Sequence, residues 1–184
     1  MTDDITLRKV DVVDVPRIQD MASDPAISEM TRIPFPYPDN GAAEFVHHTL
    51  EAWKEGTEYS FAILCRDELV GLCGFHAIDL HTRSAEFGYW IGKKFWGRGF
   101  ATAATRLAVE VAFTRLNFSL VRAPILERNA ASRRVAEKNG FSLAHRKLND
   151  EPRWLPTDII LTYQLDRQKW LDAKQENDTA THSL

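Results

Sequence analysis

Residues 88–102 (Gly-Tyr-Trp-Ile-Gly-Lys-Lys-Phe-Trp-Gly-Arg-Gly-Phe-Ala-Thr) constrain this chain more than any other stretch. A strand pattern enters a glycine-punctuated loop and passes straight into a long helical pattern. The first turn of a helix leaves backbone N–H groups without partners and carries the positive end of the helix dipole, so a diphosphate can sit there without a dedicated cation. Gly97 and Gly99 supply what such a cradle needs: glycine accepts a positive φ, and without Cβ it lets a ligand reach the main chain. A βα connection can also need glycine for purely steric reasons, so the segment defines a candidate cradle and not yet a ligand.

The glycine spacing matches neither GxxxxGK[ST] nor GxGxxG at a first βα unit with an acid some twenty residues on, so nucleotide hydrolysis and hydride transfer lose their usual signature. Charge is uneven. Residues 93–138 hold 10 Lys/Arg against 3 Asp/Glu, and residues 1–92 hold 7 against 16, in a chain of net charge −3. One segment suits a polyanion and the other a cation, although either can be a solvated face. Nucleic acid is not expected as a partner, because the basic residues alternate with buried helix positions and no aromatic stacking platform accompanies them. With 184 residues, 44% hydrophobic and 27% charged, the chain suits one soluble domain with its own core. The start, Met-Thr-Asp-Asp, is acidic and no apolar run approaches membrane-spanning length, so neither a signal peptide nor a membrane helix is expected and a cytoplasmic location is. No metal site is expected either: His47 and His48 are adjacent, HExxH is absent, and Cys65 and Cys73 lack zinc spacing.

Hydrophobic periodicity and turn residues predict an alternating α/β order without repeats or an interdomain linker. Strands are expected at 5–10, 59–66, 68–78, 83–91, 120–126, 141–147 and 154–165. Helices are expected from Asp14 and Pro16 to about Met21, from Asn40 to Lys54, from Phe100 to Leu116 and from Ala130 to Asn139, with Gly56 and Gly140 as stops. Ala104, Leu107, Val111 and Leu116 should mark the buried side of the third. Ile33-Pro-Phe-Pro-Tyr-Pro38 cannot be regular structure. A hairpin turn at Asp67-Glu68 would set Cys65 opposite Val70 and Cys73 opposite Ala62, both as reduced core thiols. Residues 167–184 should begin helically near Trp170 and decay into a polar, disordered tail, leaving 1–166 as the domain.

The stretch FGYWIGKKFWGRGFATAATRLAVEVAF (87–113), followed after one strand by ERNAASRRVAEKNGF (127–141), resembles the GNAT acetyltransferases, and within them the Rim-type (RimJ/RimL-like) branch that acetylates protein N-terminal amines. The family signature Q/R-x-x-G-x-G/A falls on Lys94, Gly97 and Gly99, with Lys94 departing from the usual first residue. Asn129 and Ser132, with Glu137-Lys-Asn-Gly-Phe141, are similar to its N-x-x-S…K-x-G-F element. The resemblance runs from about Ile5 to about Leu165. It implies a GNAT fold: a mixed, mostly antiparallel sheet of about seven strands, helices on both faces, and a splayed central strand pair. It also implies acetyl-CoA as co-substrate, a primary-amine acceptor and, by analogy, a homodimer.

Acetyl transfer to an amine needs a neutral amine, a polarised thioester carbonyl and a proton for the departing thiolate. By resemblance, main-chain groups of Trp90 and Ile91 would hold the pantetheine arm, residues 97–102 (Gly97, Arg98, Gly99, Phe100, Ala101, Thr102) the pyrophosphate, and Asn129 the same carrier, although Asn is also a favoured helix cap. Ser132 would donate to the sulfur, a suitable role because a thiol has a pKa near about 8.5; a helical Ser can instead bond back to a carbonyl. Glu86, in the Rim-type E-x-G-Y motif, is the first candidate base and His76 the second; either can instead be an ordinary strand polar residue. Phe35, Tyr37 and Trp154 could wall an acceptor slot, and Glu44, Glu51 and Glu55 could attract a cation. The expected reaction is acetylation of an N-terminal α-amine of a peptide or ribosomal protein. The alternatives are acetylation of a polyamine or aminoglycoside, and a non-catalytic acyl-CoA sensor.

Overall fold

Seven strands form one sheet in a computed structural model that describes residues 4–181, those from 177 on by backbone alone. They are β1 (Ile5–Lys9), β2 (Tyr59–Cys65), β3 (Glu68–Asp79), β4 (Ser84–Ile91), β5 (Leu120–Leu126), β6 (Ser142–Leu148) and β7 (Ile159–Asp166), in the order β1-β2-β3-β4-β5-β7-β6. Every neighbouring pair is antiparallel except β4 and β5. Six helices complete the fold: α1 (Val15–Ala22), α2 (Pro25–Ser28), α3 (Gly41–Glu55), α4 (Phe100–Thr114), α5 (Ala130–Lys138) and α6 (Arg167–Thr181). They lie on both faces of the sheet. A Cβ on Gly92 would meet Met21 of α1, whereas Tyr89, on the opposite side of β4, bonds to Ser132 of α5.

The core centres on Phe75, whose ring meets those of Phe61, Phe87 and Phe118 at centroid distances of 6.5, 5.2 and 5.6 Å. Above it, α4 buries Phe100, Ala104, Ala108, Val109, Ala112 and Phe113. Of the predicted stripe only Ala104 is fully buried; Leu107, Val111 and Leu116 are packed against the core but half-buried. The alanines explain the difference, since side chains this short let the helix approach the strands with the alanine face and push the larger residues to the flanks.

Three local expectations are corrected. The hairpin turns at Arg66-Asp67 (φ 49° and 65°), which gives both central residues the positive φ of a two-residue turn; Cys65 then faces Glu68, and after a bulge Cys73 faces Phe61. Both thiols are free, and burial pushes that of Cys73 up. Trp154 is not in a strand. The side-chain amide of Asn149 donates to the carbonyls of Glu151, Trp154 and Leu155, closing residues 149–158 into a loop, and β7 begins only at Ile159. The carboxylate of Asp14 does not cap α1. It takes two N–H groups of Arg8 at 2.8 and 2.7 Å and the N–H of Asp11 at 2.9 Å, while Asp11 caps the 3-10 turn Val12–Asp14. The C-terminal segment docks through Trp170, 5.4 Å from the Phe113 ring, and residues 182–184 of the predicted tail lie outside the described residues.

Burial alone would raise the pKa of Asp14, but the Arg8 guanidinium and the Asp11 N–H bring it below the ordinary carboxylate value. A lowered native pKa contributes stability above the unfolded value and loses it as pH falls through the native one. Asp14→Asn should therefore cost about 2 kcal/mol at pH 7, reduced from the fully buried case because Arg8 is partly exposed. Denaturant melts at pH 7 and pH 3 check it: the gap between mutant and parent should shrink in acid.

Candidate active site

The site begins where β4 and β5 part. Their ladder pairs Ser84 with Leu120, Ala85 with Val121 and Glu86 with Arg122, then stops, although both strands continue. The N–H groups of Ser119 and Leu120 both reach the carbonyl of Arg83, so odd-numbered residues of β4 present their polar groups to β5; at the other end the N–H of Gly92 turns to Val70 of β3. Continuing the ladder would require residue 124 to donate its N–H to the carbonyl of Phe87, and residue 124 is proline. The missing donor ends the zipper. It leaves the carbonyl of Phe87, both groups of Tyr89 and the N–H of Ile91 facing the gap.

This corrects one expectation. The carbonyl of Trp90 is directed at β3, where it would lie 2.2 Å from a Cβ on Gly71, so the gap belongs to Tyr89 and Ile91. The carbonyl of Ile91 is itself taken by the indole N–H of Trp96 at 2.6 Å.

At the end of β4 the chain enters the predicted cradle. Gly97 (φ 76°) and Gly99 (φ 78°) are both left-handed, and a Cβ on Gly97 would meet no protein atom within 4 Å. Packing does not explain that glycine; the turn and the open space in front of it do. The first α4 backbone bond runs from Ala103 N–H to Gly99 O, and no side chain caps the helix, so the N–H groups of Phe100, Ala101 and Thr102 are left for an anion. Lys94 turns away to Glu68 (3.2 Å), and Arg98 donates to the carbonyl of Lys94.

Behind the gap lies a cavity of about 750 Å³, lined among others by Tyr37, His76, Trp90, Asn129, Ser132 and Trp154. Asn129 accepts from the N–H of Ser132 at 3.0 Å, capping α5 and aiming its first turn. Tyr89, which is not among the predicted site residues, donates its hydroxyl to Ser132 Oγ at 3.1 Å. Burial raises the Tyr89 pKa, so it stays protonated and keeps donating. That leaves the Ser132 proton free to be given elsewhere. Phe35 is 55% exposed and is not among the cavity residues.

The two candidate bases meet: His76 Nε2 lies 3.4 Å from Glu86 Oε2. His76 lines the cavity and Glu86 stands behind it. Arg32 joins them, with Nη1 3.2 Å from His76 Nε2 and 4.0 Å from Glu86, and its other nitrogens are on Glu151. The same ring nitrogen faces both groups: a lone pair on His76 Nε2 accepts from the guanidinium, and a proton there donates to the Glu86 carboxylate. The His76 contact, with help from the charges of Arg32 and Arg122, holds the Glu86 carboxyl below its ordinary pKa against the pull of burial. Sequence spacing could not show this cluster, because Arg32 and Glu151 are 119 residues apart.

Among the described residues no group of His, Cys, Asp and Glu is placed to hold a metal ion, and no helix is long and apolar enough to cross a membrane. Residues 4–142 match the Acetyltransferase (GNAT) domain family. An N-acetyltransferase of uncharacterised role from Bacillus licheniformis, p20, is 31% identical over 143 residues, 76% of this chain and 80% of that one. The RimJ protein of Mycobacterium smegmatis with a CoA disulfide superposes with a TM-score of 0.82 at 20% identity, covering 90% of this chain and 83% of that one. Spermidine N-acetyltransferase from Vibrio cholerae, with CoA and spermine, gives 0.81 at 21%, covering 92% and 99%. A strand pair held open, a glycine cradle at a bare helix start and a family match across most of the chain converge: this protein is a member of the GNAT acetyltransferases, enzymes that use acetyl-CoA.

Proposed function

We propose that the chain transfers the acetyl group of acetyl-CoA to the N-terminal α-amine of a peptide or protein. The observation that carries this reading is the convergence of the β4–β5 gap, Ser132 and His76 on one cavity. Bound acetyl-CoA would supply the acetyl group as a thioester. The pyrophosphate belongs on the N–H groups of residues 100–102 and the amide arm along the open edge of β4. The N–H groups of Tyr89 and Ile91 are the donors for the carbonyl oxygen as charge builds on it. Ser132, whose oxygen accepts from the Tyr89 hydroxyl and whose own proton is free to rotate, donates to the leaving sulfur.

His76, backed by Glu86, takes the amine proton directly or through water. An α-amine asks little of a base. Such an amine, with a pKa of roughly 7.7 to 8.0, is about a tenth to a fifth neutral at pH 7, whereas a lysine near about 10.4 is neutral well below a tenth of a percent. Among its charged residues the cavity sets Glu44, Glu58 and Glu151 against Arg32, a balance that favours a cation. Similarity to both RimJ and a spermidine acetyltransferase keeps polyamines as the second reading. CoA release with acetyl-CoA and peptides, polyamines or aminoglycosides, with products identified by mass spectrometry, tests it. Modification at the peptide N-terminus is the expected result, and turnover of small amines alone would overturn it.

A further inference from the structure

The acceptor side of the cavity has a shape that the reaction alone does not require. Register places Ser60, Gly74 and Gly88 directly opposite one another on β2, β3 and β4, so one row of the sheet carries almost no side chain. The rows on either side carry large ones: His76 with Glu86, and Leu72 with Trp90. The bare row is a furrow crossing three strands. It starts at Gly88, on the strand that borders the gap, and ends at Ser60, two strand spacings or about 10 Å away.

Gly88 is not there for the protein's own packing. Its φ is not positive, and a Cβ would come no nearer than 3.6 Å to any neighbour, the His76 ring. Gly74 does have a local reason, since its Cβ would strike the carbonyl of Tyr59 at 2.7 Å. At the far end the same cavity is lined by Glu44 and His48 of α3 and by Glu58, one face-equivalent step before Ser60. His48 Nε2 lies 3.5 Å from Glu58, and Glu44 accepts from Asn40, so Glu44 faces no cationic side chain in these contacts. Near the gap, by contrast, Glu151 is already neutralised by Arg32.

We infer that the furrow holds an extended acceptor whose second positive charge sits about 10 Å from the reacting nitrogen, between Glu44 and Glu58. In a peptide, three extended residues span about that length, so the second charge is a Lys or Arg side chain at the second or third position. A linear polyamine presents the same pair of charges. This inference rests on the amine acetyltransferase reading above and narrows its acceptor.

The test compares kcat/KM for peptides Ser-Lys-Ala-Ala, Ser-Ala-Lys-Ala and Ser-Ala-Ala-Ala, and for the linear diamine 1,7-diaminoheptane against heptylamine, in the parent and in Glu44→Gln/Glu58→Gln. The parent should prefer the dicationic member of a set by about ten-fold, and the double variant should bring that ratio near one with acetyl-CoA affinity preserved. The peptide and amine sets separate the two sources. A ratio near one in the parent, or a preference untouched by the double substitution, would overturn the inference while leaving amine acetylation standing. Calorimetry of the CoA-loaded protein with the same compounds reads the furrow independently of turnover. If no amine is acetylated, the proposed reaction falls, and preferential binding of the dicationic probes, lost in the double variant, still decides for or against the furrow.

Discussion

Gly99→Val should remove saturable acetyl-CoA binding, weakening it by at least about 100-fold, or about 2.7 kcal/mol. Two effects act together. A valine side chain would crowd the turn that opens α4 beside the N–H groups of residues 100–102, and a β-branched residue is strained at φ 78°, by about 1–3 kcal/mol. The second effect also lowers stability, so a control is needed. Gly140→Val carries the same backbone strain at φ 83°, past the end of α5, where only Leu165 comes within 4 Å of a Cβ. Both variants should melt earlier. Calorimetric titration with acetyl-CoA should fail only for Gly99→Val; retention of binding there would show that the carrier is held elsewhere.

Ser132→Ala should lower kcat by about 10²-fold or more and leave the acetyl-CoA dissociation constant close to the parent value. The helix is not expected to suffer, because Asn129 caps the main-chain N–H of residue 132, which alanine keeps. Tyr89→Phe provides the comparison. It deprives Ser132 of its donor without removing the hydroxyl, so its loss should be smaller, about ten-fold. Equal losses of turnover and cofactor affinity in Ser132→Ala would place the hydroxyl in binding and not in proton donation.

Much of this molecule can be read from local pattern. The strand at 120–126 and the helix opening at Phe100 fall where periodicity and glycine put them, because each depends on residues a few places apart. The turn at Arg66-Asp67 did not, since no glycine marks its two positive φ values and neighbouring hairpin registers look alike in sequence. The strand expected from Trp154 begins only at Ile159, because the signal that keeps 154–158 in a loop lies in one amide, Asn149, that folds three carbonyls inward. At the site, the cradle and Ser132 are visible in motifs. Tyr89 could have been found from its alternation with the strand core, and the strand opening from Pro124, a residue with no donor in the middle of a central strand. The Arg32 cluster could not, because only the folded chain brings residues 32, 76, 86 and 151 together.

Pro124 has a consequence beyond the opening it creates. A clasp made from peptide groups asks little of the side chains that flank it, provided one amide hydrogen is missing at the right rung and two positions stay bare. Such a clasp is a property of the backbone path, and proteins sharing only a fifth of their residues with this one superpose on that path over most of their length.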